Sequence, residues 1–156
     1  MSFFLALRNR QRTRTLDLPW FRQLALQVLR KELKVADYEL AIHFVDAAEM
    51  ARLNWKYLRH EGSTDVITFD YNEAKSSNEL HGEIFISIPD AVKQARQFRT
   101  KWQSEVLRYI IHGLLHLSGF DDTRPKARRV MKREENRLLR QSLRLFPTKQ
   151  SRHADG

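Results

Sequence analysis

The sequence predicts an α+β fold, a single domain in which a small mixed β-sheet of about four strands packs against about five helices. Three observations predict it. Short β-branched and aromatic runs crowd the first half of the chain, long segments with helical apolar spacing fill the second, and no repeat or Pro/Gly/Ser-rich linker separates them. The 156 residues are the size of one ordinary domain, and the nine Phe and three Trp among them can supply a core.

Taken in order, the apolar run at residues 3–7 is soon interrupted by arginines. It is too short for a signal segment or a bilayer span and is expected to be an edge strand. Residues 19–33 place Phe21, Leu24, Val28 and Leu29 at helical spacing, with Asp17 near the start. Residues 38–45 form a short aromatic strand, and Asp46 with Glu49 three residues on resembles a capping box that opens a helix to about Tyr57. Strands are expected at 65–69 and 81–88, separated by a polar stretch at 72–78. Pro89 and Asp90 then start a helix. Thr100 is placed to cap the next helix, which runs to about Leu117, and Pro125 opens a last helix to about Leu145. Residues 1–147 are thus read as one domain and 148–156 as a disordered basic tail.

Charge is unevenly spread. Between Arg124 and Arg152 stand eleven Lys/Arg against Glu134 and Glu135, a local +9 that equals the formal net charge of the whole chain. A second cluster, Arg8, Arg10, Arg12 and Arg14, lies near the N-terminus. Such clusters attract polyanions by counterion release, so nucleic acid is a natural partner, with Arg124, Lys126, Arg128, Arg129 and Lys132 as the candidate contacts. The same run would also suit a solvated helix face. The absence of cysteine excludes disulfide frameworks and thiolate metal sites, and is compatible with a cytoplasmic protein that has no membrane association.

The most informative segment runs from Tyr109 to Asp122. His112 and His116 are four residues apart, so on a helix their imidazoles project in the same direction and can take adjacent corners of one coordination sphere. Gly119 stands where helices end with positive φ, and the reversal it allows brings Asp121 or Asp122 back towards the same point. Histidines on an apolar helix face also occur as hydrogen-bonded core residues. Here Ile110, Ile111, Leu114, Leu115 and Leu117 nearly encircle the helix, and an ion would satisfy both imidazoles together. The expectation is a single metal site at the end of a central helix, held by His112, His116 and Asp122. Three protein ligands leave a position open, which is the catalytic pattern. The ion is expected to be zinc or another divalent transition metal.

This spacing is similar to the metzincin protease pattern, with one decisive departure. Gly113 occupies the place of the protease's general-base glutamate and cannot accept a proton, while Glu105 lies two turns away. A zinc peptidase is therefore the weakest reading.

The string from His112 to Asp122, HGLLHLSGFDD, resembles the signature of the YbeY family of bacterial endoribonucleases, close to His-Gly-x-Leu-His-Leu-x-Gly-Tyr/Phe-Asp-His. Further matches occur in the family's order at Leu53-Asn54, at 63–69 (STDVITF), at 82–87 (GEIFIS), and at Met131 and Arg133-Glu134-Glu135. They span roughly residues 35 to 137. The resemblance implies a metal-dependent endoribonuclease that cuts single-stranded RNA in 16S rRNA 3′-end maturation and ribosome quality control. It also implies partners among small-subunit ribosomal proteins and an assembly GTPase. Asp122 stands where the family normally has a third His; a carboxylate is an acceptable zinc donor but should acidify bound water less. Asp121 matches the family's preceding Asp and is expected to support the site from behind. Leu58 stands where many members carry an Arg, and Arg59, one place later, is the candidate to meet phosphate. The general base is not identified. The rival from another class is a non-catalytic RNA-binding assembly factor whose metal is structural.

Overall fold

The computed structural model describes residues 1–72 and 78–148. Most of the expected polar stretch and nearly all of the expected tail, 149–156, lie outside the described residues. Strand β1 (Phe3–Arg10) pairs in parallel with β2 (Asp37–Val45), and β2 in parallel with β4 (Glu79–Ser87). Strand β3 (Val66–Asp70) runs antiparallel on the far edge of β4, giving the order β1-β2-β4-β3. The sheet is mixed and four-stranded, as expected. β1 outruns the expected strand because its register continues to Arg10 opposite Val45.

Among the described residues five α-helices accompany it: α1 (Leu18–Gln27), α2 (Ala47–Leu53), α3 (Ile88–Phe98), α4 (Trp102–Leu117) and α5 (Pro125–Leu145). α1 and α2 each end in a wider π turn, Val28–Glu32 and Asn54–Leu58. Strand alternation divides the sheet's faces. Tyr38, Leu40, Ile42 and Phe44 of β2 with Leu80, Ile84 and Ile86 of β4 point into the main core, which α1, α3, α4 and α5 cover. On the opposite face, Val45, Ile67 and Phe85 form a smaller cluster with Met50 of α2.

The helix starts follow the expected chemistry with two exceptions. Asp17 accepts from the Trp20 amide and Asp46 from the Glu49 amide, so both are side-chain caps. Glu49 does not close the capping box; its carboxylate pairs with Arg10 of β1. Thr100 does not cap α4. Lys101 holds that position without a side-chain capping bond, and the Thr100 hydroxyl donates instead to Glu105 at 2.8 Å.

Two glycines let α4 sit close to the sheet. A Cβ on Gly113 would lie 2.7–2.9 Å from three carbons of Ile84, and one on Gly82 would lie 2.3 Å from the Phe69 carbonyl oxygen and 2.9 Å from Leu117. Position 113 therefore faces β4. A glutamate there would have no room, which adds a steric reason to the chemical one against a protease-type base. His112 and His116, on either side of that contact, emerge at the β3 edge.

Candidate metal centre

The end of α4 is a Schellman turn. The amide of Phe120 donates to Leu115 and that of Gly119 to His116, with Gly119 at φ 110°. Phe120 packs against the main core, so the chain doubles back and sends Asp121 and Asp122 beneath the helix end. Asp121 accepts from both the amide and the hydroxyl of Thr123, an Asx turn that fixes the loop into α5. Asp122 is left facing the histidines.

His112, His116 and Asp122 line one cleft of about 420 Å³, together with Tyr57, Leu58 and residues 66–69 of β3. His112 Nε2 is 3.6 Å from Asp122 Oδ2. Two donors bound tetrahedrally at about 2.0–2.1 Å from one zinc ion would stand roughly 3.3 Å apart, so this pair is close to ligand spacing. His116 borders the same space. Among the described residues, no three His, Asp or Glu side chains stand close enough to form a ready-made cage. The donor chemistry fits a divalent transition ion, and the His112–Asp122 pair already stands near ligand spacing.

The other nitrogen of His112, Nδ1, lies 2.9 Å from Glu135 Oε1 of α5. A carboxylate behind a ligating imidazole fixes its tautomer and aims its free nitrogen. Glu135 is buried, and Arg108 and Lys132 hold its second oxygen at 2.7 and 3.1 Å. Burial pushes this carboxyl up, but the bonds from His112 and Arg108 and the nearby Lys132 outweigh it and bring it down to about 2. The same bond to Glu135 raises His112 above its ordinary value; burial opposes the rise, and the charges of Glu135 and Asp122 add to it. Without an ion, His112 holds its proton more tightly, so ion and proton compete for this side chain.

The sequence pointed to no role for Glu135, although a signal was present. It falls on the stripe Met131, Glu135, Leu138 and Ser142 that α5 buries, and a carboxylate on such a stripe requires partners.

The candidate RNA contacts separate into two groups. Arg128, Arg129 and Lys132, with Glu135, line an adjoining cleft of about 660 Å³ that shares His112 and Asp122 with the first. Arg128 also donates to the Asp122 carbonyl at 3.1 Å. Arg124 and Lys126 are exposed at the start of α5, outside both clefts. Arg59 is not among the residues lining the first cleft. Its φ of 55° turns the chain, and its guanidinium lies over the Trp55 ring, 5.3 Å from the centroid. Leu58 occupies the cleft wall instead.

A model of the family described as Endoribonuclease YbeY matches residues 6–142. A protein of that name from Bacteroides fragilis is 41% identical over 101 residues, covering 65% of this chain and 70% of its own. Another, from Chlorobium phaeobacteroides, is 39% identical over 114 residues, covering 73% and 80%. The fold is shared with a solution structure of a Thermotoga maritima protein, at a TM-score of 0.70 and 22% identity over 97% of both chains. The matched span begins within β1, ends near the end of α5 and contains His112, His116, Asp122 and Glu135, so this chain belongs to the YbeY endoribonuclease family.

Proposed function

We propose that this protein is a cytoplasmic, metal-dependent endoribonuclease that cuts single-stranded RNA during 16S rRNA 3′-end maturation and ribosome quality control, in contact with the small subunit and its assembly factors. The observation that carries the site assignment is the pairing of His112 Nε2 with Asp122 Oδ2 at 3.6 Å in a cleft shared with His116, while Glu135 anchors the far side of His112. His112, His116 and Asp122 would hold one zinc or similar ion. When bound, such an ion supplies Lewis acidity towards a phosphoryl oxygen and towards water.

The chain's own residues do the rest. Glu135 keeps Nδ1 of His112 protonated and Nε2 free. Arg128, Arg129 and Lys132 would meet the phosphates on one side, in the role the sequence offered to Arg59. The apolar wall of Leu58, Val66 and Phe69 limits water around the reacting phosphate. Among the described residues, no helix is long and apolar enough to cross a membrane.

The deciding experiment pairs metal content with cleavage. Wild-type protein and His116→Ala are purified without added metal, assayed for bound ion, and incubated with an RNA fragment spanning the 16S 3′ end. The expected result is close to one ion per wild-type chain, and loss of both ion and site-specific cleavage in the variant. Equal cleavage by the two proteins would assign the activity to a contaminant. Metal binding and RNA binding without any cleavage would favour a non-catalytic assembly factor.

A further inference from the structure

The π turn ending α2 carries side chains that an ion site does not require. Trp55, Tyr57 and Leu58 are each about half exposed within four residues of chain. Large apolar groups gathered on a surface mark a contact site more often than chance exposure. The turn is also anchored. Asn54 is buried and donates to the Gly62 carbonyl at 3.0 Å, and the amides of Arg59 and His60 return to Trp55 and Asn54.

Two cations lie over these rings. The Arg59 guanidinium is 5.3 Å from the Trp55 centroid, and Lys56 Nζ is 5.2 Å from that of Tyr57. Tyr57 meets Phe69 edge-on at 5.0 Å, and both border the cleft of His112, His116 and Asp122. Beyond His112 and Asp122, Arg128, Arg129 and Lys132 border the next cleft. The anchored turn thus carries two rings, each with a cation over it, of which Tyr57 borders the cleft, and the adjoining cleft is cationic. An apolar protein partner would gain little from cations placed on the rings. A polyanion with flat unpaired faces would use both features, and an unpaired nucleic-acid strand has that chemistry.

We propose that Trp55 and Tyr57, extended by Arg59 and Lys56, form a stacking platform for bases beside the cut phosphate, and that this platform makes the cleft selective for single strands. Bases in a duplex are already stacked and cannot lie on it. The inference rests on the endoribonuclease reading and deepens it by naming what the cleft recognises.

Trp55 is its own reporter, because Trp20 and Trp102 are only 7% and 5% exposed. Full-length protein in chelator, so that cleavage does not intrude, is titrated with a 2′-O-methyl oligonucleotide, an abasic phosphodiester of equal length, and a duplex. The base-bearing single strand should quench Trp55 emission and bind about five- to a hundredfold more tightly than the abasic strand, the range that stacking of one base commands. The duplex should not quench. Trp55→Ala should lose most of that advantage with an unchanged salt slope, and Trp55→Phe should keep most of it.

Equal affinity for base-bearing and abasic strands would overturn the platform and leave the nuclease reading standing. So would wild-type affinity in a folded Trp55→Ala. If that variant melts early, the abasic comparison on wild type decides. Failure of wild type to bind either single strand would overturn the platform together with the reading beneath it.

Discussion

Glu135 shows how one side chain sets the state of another. It sits in the most basic helix of the chain, and its carboxylate gathers His112, Arg108 and Lys132. Replacing it with Gln removes the charge and leaves a weaker partner for Nδ1, so zinc affinity should fall about ten- to a hundredfold, measured by competition with a chromophoric chelator. The same substitution has a pH signature in metal-free protein. Glu135 is depressed from 4.5 to about 2, so its stabilising effect is present above the ordinary carboxylate value and is lost as pH falls towards 2. His112 is raised from 6.5, so its effect is present below that value and is lost as pH rises through the raised one. Urea midpoints across pH should therefore sag on both flanks in wild type and flatten on both in Glu135→Gln; a wild-type profile in the variant would refute the coupling. Gly113 makes a second residue-scale case. Alanine there gains roughly 1 kcal/mol of helix propensity, but its methyl meets Ile84, fully buried and unable to swing aside, and overpacking of that kind costs about 1–3 kcal/mol. A net loss of about 1 kcal/mol in Gly113→Ala is expected by chemical denaturation, and a stabilised variant would show that α4 can lift from the sheet. His112, His116 and Gly119 were legible in the sequence because helix spacing and helix termination are local rules. Glu135 was not given a role because its partner is 23 residues away on another helix. The aim of Arg59 was hidden for a different reason, since it follows from a single left-handed residue at the end of a turn.

Most elements were legible for the same local reasons, and the misses have physical causes. Period-two and period-3.6 patterns give the strands and helices, while an element's length depends on its partner, as β1 shows by following β2 to Arg10. Asp17 and Asp46 cap as their chemistry demands, whereas Thr100 is drawn away by the buried Glu105 carboxylate, an attraction that propensity does not register. α5 is the element that joins fold to function. One stripe, with Met131, Glu135, Leu138 and Leu139, is buried, and the opposite side carries the charge read from composition. Only part of that charge borders the clefts. Changing Arg128, Arg129 and Lys132 together to Gln should reduce the slope of log affinity against log salt by about 2 for single-stranded RNA, near 0.7 for each phosphate that is no longer neutralised. The matching change at Arg124 and Lys126, outside both clefts, should lower it by less. Equal reductions would mean that the strand follows the whole helix instead of the clefts.

At the scale of the whole molecule, the order β1-β2-β4-β3 leaves β3 on an edge, and that edge is where the histidine-bearing end of α4 emerges. The class of fold was legible from segregated strands and helices, but the strand order was not, because it depends on which edges the helices leave open. The candidate site is drawn from consecutive elements of the helical layer. His112 and His116 belong to α4, Asp122 to the loop entering α5, and the carboxylate behind His112 to α5 itself. An ion bound there would tie α4, the loop and α5 into one unit, and it would bind the native chain far better than the unfolded one, in which these donors are dispersed. Linkage then sets the size of the effect. At free zinc a hundredfold above its dissociation constant the native state gains about 2.7 kcal/mol. In a domain of this size each kcal/mol moves the midpoint by roughly 2–4 °C, so chelator-treated protein should melt about 5–10 °C below the zinc-loaded form. The gap should widen as free zinc rises and shrink sharply in His116→Ala and in Asp122→Ala. Asp122→His, which installs a third imidazole, should keep it. A midpoint indifferent to zinc in wild type would remove the ion from this site. A zinc-dependent midpoint that survives Asp122→Ala unchanged would leave the two histidines as ligands and exclude the carboxylate.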